Sequence, residues 1–258
     1  MFLGIDVGNT TTVVGLLDDD RIVCHWRLVS ERKTSDELGL LLLNLLNVSS
    51  VLPSEISGAA ISSVVPALDK NFVEAVSLYL NTTCLSISAE MDLGIEIAYA
   101  NRWEVGADRL VNSVAGVAQY GAPLIVVDFG TAITLDVISP KGAYLGGTIS
   151  PGLVTSMDAL FGKTSKLPQV ALEVPESVIG VSTKTAIQSG VVYGTAGSVD
   201  ALVRHIWREL GTVTPVVATG GHASTMAEVS ETIDSVDPWL TLEGLRLIYD
   251  RVQGDQKR

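Results

Sequence analysis

The chain has 258 residues, 47% of them hydrophobic and 18% charged, with a formal net charge of −12. At about 150 residues per domain this is one large domain or two small ones, apolar enough for a sizeable core and too apolar for disorder. The acidic balance excludes a general nucleic-acid binder, which needs clustered Lys and Arg, but it leaves room for a local phosphate site built from backbone N–H groups and a bound metal.

Cys24 and Cys84 lie far apart, with no CxxC spacing. They predict reduced thiols and a cytoplasmic protein. No basic stretch precedes the first apolar run and Asp6 interrupts it, so no signal peptide is expected. The most apolar stretch, Leu38 to Leu46, is too short to span a membrane.

In chain order, Phe2 to Val7, Thr11 to Leu17 and Arg21 to Leu28 read as three strands joined by polar turns, an antiparallel meander. Thr34 or Ser35 is placed to cap a helix through the leucines up to Leu46. Ala59 to Val64 is a further strand, and Pro66 opens a helix to about Leu80. A helix is expected over Leu110 to Gln119. The second half opens on Leu124 to Asp128, a continuous apolar run of buried-strand type. Ala132 to Ile138 and Ala143 to Ile149 follow, with a turn at Pro140-Lys141-Gly142 between them. This repeats the order of the N-terminus, and Asp128-Phe-Gly-Thr-Ala-Ile-Thr echoes Asp6-Val-Gly-Asn-Thr-Thr-Thr. The repetition predicts a duplicated two-lobed α/β fold divided near Tyr120 to Pro123, with lobes over residues 1–120 and 121–258. Val216 to His222 reads as a strand entering a double-glycine turn and a helix; Leu240 to Val252 reads as an amphipathic helix, followed by a frayed tail from Gln253.

The two acidic turns carry the chemistry. A carboxylate at a strand end is costly unless it is paired or faces a cleft. Gly8 lets a ligand approach the backbone, and Asn9, Thr10, Thr11 and Thr12 offer donors to phosphate oxygens while Asp6 suits a magnesium ion or its waters. An ordinary hairpin would use the same residue types; the echo at Asp128, Gly130 and Thr131 is what favours two turns gripping a polyphosphate. Thr219-Gly220-Gly221 suits the adenosine end, where bare backbone can meet a flat base, although a glycine cap would look the same. Asp108 could accept a hydroxyl proton and Arg109 could bind a carboxylate or phosphate. Gly162-Lys163-Thr164 lacks the glycine of a P-loop, since the required position is Met157. GxGxxG, HExxH and GxSxG are all absent, and His25, His205 and His222 fall on different elements.

Taken in order, Asp6-Val-Gly-Asn-Thr, Ser63-Val-Val-Pro66, Val105-Gly-Ala-Asp-Arg109, Asp128-Phe-Gly-Thr-Ala132, Gly146-Gly-Thr-Ile-Ser-Pro-Gly152, Lys166-Leu-Pro168, Gln188-Ser-Gly190, Thr219-Gly-Gly221 and Leu240-Thr-Leu-Glu-Gly-Leu245 resemble the type III pantothenate kinase family over nearly the whole length. The resemblance implies an actin-like fold of the acetate and sugar kinase, Hsp70 and actin type. In it a ribonuclease-H-like N-terminal lobe carries the first phosphate turn, and ATP binds between the lobes. It implies ATP binding by Asp6, Val7, Gly8, Asn9, Thr10, Thr131, Gly220 and Gly221, and Asp108 as catalytic base. It also implies pantothenate binding by Tyr99, Gly106, Ala107, Arg109 and Thr183. Magnesium with ATP at Asp6, directly or through water, and a monovalent cation (potassium or ammonium) at Asp128 complete the implied set, together with a homodimer and no nucleic-acid or membrane partner. Two positions depart from the family pattern: Arg102 follows Asn101 where the family often has proline, and Ser182 precedes Thr183 where it has asparagine. Two other readings use the same residues. One is a kinase of this fold acting on another small hydroxy compound, and the other is an ATP-binding accessory or regulatory protein.

Overall fold

The structure is a computed structural model that describes residues 1–164 and 167–256. Lys166 of the Lys-Leu-Pro motif lies outside the described residues. The elements in chain order are β1 (Phe2–Val7), β2 (Thr11–Asp18), β3 (Arg21–Val29), α1 (Ser35–Val48), β4 (Gly58–Ser63), α2 (Pro66–Leu80), β5 (Cys84–Ser86), α3 (Ala107–Tyr120), β6 (Leu124–Phe129), β7 (Ala132–Ile138), β8 (Tyr144–Pro151), α4 (Leu153–Lys163), α5 (Thr183–Leu210), β9 (Val216–Thr219), α6 (Ala223–Ala227), β10 (Ser235–Val236) and α7 (Leu240–Gln256). They form two compact units, Met1–Ala118 with Trp239–Arg258, and Gln119–Pro238.

The first unit is a five-stranded sheet in the order β3-β2-β1-β4-β5. β1 runs antiparallel to β2 and parallel to β4. Alternation along β1 sends Leu3, Ile5 and Val7 into one apolar core, where they meet Leu38 and Leu42 of α1 and Phe72 and Val76 of α2. α1 starts at a capping box: Thr34 Oγ1 accepts from the Glu37 N–H (3.2 Å), and the Glu37 carboxylate accepts from the Thr34 N–H (2.8 Å). On the opposite face, Gly15 and Gly58 carry no side chain where a Cβ would lie 2.4 Å from Leu242 or Tyr249, so α7 seats directly on the strands. α7 is tied to α3 by a hydrogen bond from Thr241 Oγ1 to Asn112 Oδ1 (2.7 Å). The Leu240-Thr-Leu-Glu-Gly-Leu245 motif is thus a packing motif of the first unit, with Leu240, Leu242 and Leu245 all buried. The sequence pattern assigned this helix to the second lobe. Its apolar stripe does not reveal which sheet it covers, and its contacts with β1 and β4 put it in the first unit. The helix also continues through the tail expected to fray, as far as Gln256.

The second unit repeats the plan, in the order β8-β7-β6-β9-β10. β6 again has an antiparallel partner (β7) on one side and a parallel partner (β9) on the other. In both sheets the pairing of the second and third strands shifts register, at Leu16/Leu17 and at Val137/Ile138. The residue-by-residue echo of the two turns needs one adjustment. Asp6 lies opposite Val13, whereas Asp128 lies opposite Thr134. The second turn is one residue shorter, so Thr134 is the counterpart of Val13 and not of Thr12.

Candidate functional site

Asp6 occupies the central strand of its sheet, in register with Val13 and Ser62. Its neighbours Ile5 and Val7 point into the core, so its half-buried side chain belongs to the α7 face. The turn closes on itself: the Gly8 N–H donates to the Thr11 carbonyl (3.1 Å) and the Ser30 N–H to the Thr10 carbonyl (3.0 Å). The Thr12 and Ser30 hydroxyls pair at 2.8 Å. With the turn's shape fixed by its own backbone, Asn9 and Thr10 are left exposed to solvent. A turn whose shape is set by its own backbone can present donors to a ligand with little rearrangement.

Ser63-Val-Val-Pro66 links that turn to Asp108. The Val64 N–H donates to the Val7 carbonyl (3.1 Å), and Ser63 Oγ caps the exit of β4 on the Val65 backbone before Pro66 starts α2. Val64 in turn lies beside Gly106, where an added Cβ would sit 3.6 Å from Val64 Cγ1 and 2.4 Å from Asp108 Oδ1. A side chain at Gly106 would displace the Asp108 carboxylate, so glycine there leaves that carboxylate in its place. Asp108 stands in the first turn of α3, where a negative charge is favourable. Burial pushes its carboxyl up from the ordinary range; the Arg109 N–H (2.8 Å) and the Arg109 charge pull the other way without overcoming it. Arg109 is itself only 8% exposed, and its carbonyl accepts from Ser113 Oγ (2.7 Å). A carboxyl raised by desolvation next to a largely buried arginine is chemically suited to accept a proton beside an anion. Ala107 opens α3 beside it. Tyr99 is 38% exposed, on the connection that leads into Gly106.

In the second unit Asp128 is in register with Thr134 and Thr219. Gly220 has φ +92°, and a Cβ there would lie 2.4 Å from Asp128 Oδ1 and 2.7 Å from the Phe129 nitrogen. The double-glycine turn is thus wrapped around the Asp128 carboxylate, and His222 N–H donates to the Phe129 carbonyl (3.4 Å). Thr131 is held from the other side. Its carbonyl accepts from the Gly152 N–H (3.0 Å) and from Thr155 Oγ1 (2.7 Å). The sequence pattern does not mark Thr155, whereas Gly152 closes the Gly146–Gly152 motif.

Thr183 lies apart from this turn, at the start of α5, exposed on a groove of about 1330 Å³ that Thr155, Lys163 and Val181 also line. Thr155 is the residue shared by the groove and the Thr131 turn. Gln188 and Ser189 do not face it. Gln188 Nε2 donates to the Ala171 carbonyl (2.8 Å), and Ser189 Oγ to the Val178 carbonyl, so they tie the 167–181 connection to α5. The structure therefore gathers the predicted residues into four places. In the first unit these are the Asp6 turn and the Gly106–Arg109 segment, with Tyr99 further along the connection. In the second they are the Asp128–Gly220 turn and the Thr183 groove.

Residues 2–205 match the family described as type III pantothenate kinase. The chain belongs to that family. It is 49% identical to the type III pantothenate kinase of Desulfatibacillum aliphaticivorans over 254 residues, 98% of this chain and 99% of the relative. It is 47% identical to that of Exiguobacterium sp. over 254 residues, 98% and 100% of the two chains. Among solved structures, the activator of the 2-hydroxyisocaproyl-CoA dehydratase from Clostridium difficile, with bound ADPNP, is similar at a TM-score of 0.58 and 16% identity, covering 99% of this chain and 97% of that one. The fold is the two-lobed actin-like one.

Among the described residues no three His, Cys, Asp or Glu side chains converge on one point. A magnesium ion needs no such cluster, because one or two carboxylates plus substrate phosphates complete its shell; Asp6 beside an open turn fits that role. Asp128 fits a monovalent cation, since a side chain at Gly220 would fill the space at its carboxylate. Among the described residues no helix is long and apolar enough to cross a membrane.

Proposed function

We propose that this chain phosphorylates pantothenate with Asp108 as the base, Arg109 as the carboxylate anchor and the Asp6 turn as the phosphate grip. The activity is that of the family: transfer of the γ-phosphoryl group of ATP to pantothenate, giving 4′-phosphopantothenate, the first step of coenzyme A biosynthesis. The observation that carries the assignment of roles is the Gly106–Asp108 contact, which reserves the space of a side chain for a carboxylate that burial has made more basic.

The backbone of Gly8 to Thr10, with Asn9, holds the ATP phosphates, and Val7 sets the turn through its carbonyl contact with Val64. Thr131, Gly220 and Gly221 contact the rest of the nucleotide. In the first unit Tyr99, Gly106 and Ala107 line the acceptor site, where Arg109 pairs with the pantothenate carboxylate; in the second unit Thr183 is the residue assigned to pantothenate. Asp108 orients the primary hydroxyl of pantothenate towards the γ-phosphorus and takes its proton as the new P–O bond forms and the bond to ADP breaks. In such a transfer most of the catalysis is positioning and charge neutralisation. Magnesium, held with the phosphates at Asp6, and potassium or ammonium at Asp128 would supply that neutralisation. Two free cysteines support a cytoplasmic location. The exposed apolar side chains Phe161 (48%), Ile179 (80%) and Val181 (93%) of the second unit support a homodimer.

The test is ADP release measured with and without pantothenate, in potassium and in sodium. Pantothenate-dependent release that is faster in potassium is expected. ATP binding without acceptor-dependent release would overturn the kinase reading and leave an ATP-binding regulator.

A further inference from the structure

The connection between β5 and α3, residues 87–106, contains no helix or strand longer than a turn, yet it carries Tyr99 and delivers Gly106 to Asp108. A free loop of that length would leave both ends of the acceptor site undefined. Its first part is anchored by the Ile87 N–H on the Ile61 carbonyl of β4 (2.8 Å). Its last part is a single 3-10 turn, Arg102–Glu104, closed by Glu104 N–H to Asn101 carbonyl (3.0 Å), Val105 N–H to Arg102 carbonyl (3.3 Å), and Asn101 Nδ2 to Glu104 Oε1 (2.7 Å). Arg102 joins the two parts. Its Nη2 donates to the Ala89 carbonyl across thirteen residues, and its guanidinium lies over the Trp103 ring at 5.5 Å. Its Nε is buried without a hydrogen-bond partner, so the group is held there at a desolvation cost. Trp103 is 61% exposed and adds little burial of its own. A solvated arginine would be the more stable choice if the loop's shape did not matter.

We infer that Arg102 is a positioning residue: it acts as a brace between Ala89 and the 102–104 turn and, through the backbone of Val105 and Gly106, sets the acceptor site. The inference rests on the assignment of Asp108 and Arg109 to that site. The contacts of Arg102 run to Ala89 and Trp103 and not to residues 6–12, so its loss is expected to act on pantothenate more than on ATP. Proline offers a second way to stiffen the same turn. Position 102 is the first residue of the turn, where proline's fixed φ suits a helical start and its missing N–H is tolerated. Asn101 is already extended (φ −131°, ψ 95°), as a residue before proline prefers.

The experiment compares Arg102→Ala and Arg102→Pro in the full chain, varying pantothenate and ATP separately and recording Tm and amide hydrogen exchange. Arg102→Ala is expected to raise the pantothenate KM about tenfold, to leave the ATP KM within twofold, and to speed exchange at Glu104 and Val105. Arg102→Pro is expected to recover most of the pantothenate KM. The inference is overturned if Arg102→Ala leaves the pantothenate KM unchanged, whether or not exchange quickens. It is equally overturned if both KM values rise together with a fallen Tm and proline restores nothing, since the role is then structural only. Asp108→Asn, assayed alongside, separates the two ideas. Full turnover in that variant with a raised pantothenate KM in Arg102→Ala removes the base assignment and keeps the brace.

Discussion

The two units share one strand order but finish the ends of their central strands differently. At Asp6 the turn is closed by its own backbone, and Asn9 and Thr10 face water. At Asp128 the turn is one residue shorter and is covered by Gly152, Thr155 and Gly220 from its own unit. A strand order alone therefore does not fix a role. The same scaffold gives an open turn in the first unit and a packed carboxylate cradle in the second. The first unit also carries a raised carboxylate, Asp108, packed against Gly106.

If that contrast is right, the largest effect comes from the unit that holds the base. Asp108→Asn is expected to lower turnover by about 10²–10⁴-fold. The parent's activity should fall on acidification from a higher pH than an ordinary aspartate would give, because the carboxyl is raised by burial, and the variant should lose that limb of the pH profile. Stability moves the opposite way. A carboxyl raised in the fold holds its proton more tightly there than in the unfolded chain, so the folded state loses stability as pH rises through that range. Asn is neutral and nearly isosteric, so the variant should have a higher Tm at pH 7. Lost activity with a lower Tm would instead point to damage.

Next in size is the contrast between the two turns' glycines. Gly220→Ala forces a Cβ to 2.4 Å from Asp128 Oδ1 at φ +92°, and is expected to cost about 3 kcal/mol and to raise the ATP KM. Gly8→Ala meets only the Thr11 carbonyl, at 3.0 Å, and should keep its Tm within a few degrees while the ATP KM still rises. Equal Tm losses in the two variants would erase the distinction between an open and a packed turn.

The packing of the second unit can also be tested at its back. Asp200, 4% exposed, accepts from Ser230 Oγ (2.6 Å), Thr232 Oγ1 (2.7 Å) and the Glu231 N–H (3.0 Å). Burial pushes its carboxyl up, but these hydrogen bonds outweigh that and hold it below the ordinary range. Its contribution is present at neutral pH and is lost as pH falls through the lowered value. Asp200→Ala should cost about 2 kcal/mol at pH 7 and flatten the acid side of the stability curve, as measured by denaturant unfolding across pH. An unchanged acid limb would dismiss Asp200 as the source.

Much of this was legible in the chain itself. Pro66 to Leu80 and Ala132 to Ile138 have the residue types and punctuation of the elements they form, and the Thr34 box marks the start of α1. The acid turns and the Asp-Arg pair were visible because polar residues at the end of an apolar strand break its pattern. α5 was not visible: Gly190, Gly194 and Gly197 interrupt its apolar rhythm, and only Ser182 and Gly211 at its ends announce it. The side of the sheet that α7 covers was invisible too, because a stripe of leucines does not name its partner. Nor could sequence show that Gly106 makes room for Asp108, since an empty position is recognised only by what stands in it.

The smallest test compares two capping boxes whose cap hydroxyls accept at the same distance. Thr34 caps α1 and Ser182 caps α5, each accepting from the backbone N–H three residues on, at 3.2 Å. Replacing either with Ala should cost about 1 kcal/mol. α1 lies against the core of the first unit and carries no proposed ligand contact, so Thr34→Ala should change stability alone. Ser182 immediately precedes Thr183 on the groove of the second unit. Ser182→Ala frees the first turn of α5 and should raise the pantothenate KM about threefold at the same small loss of stability, with the ATP KM unmoved. Matching kinetics for the two variants would remove the proposed role of Thr183 in binding pantothenate.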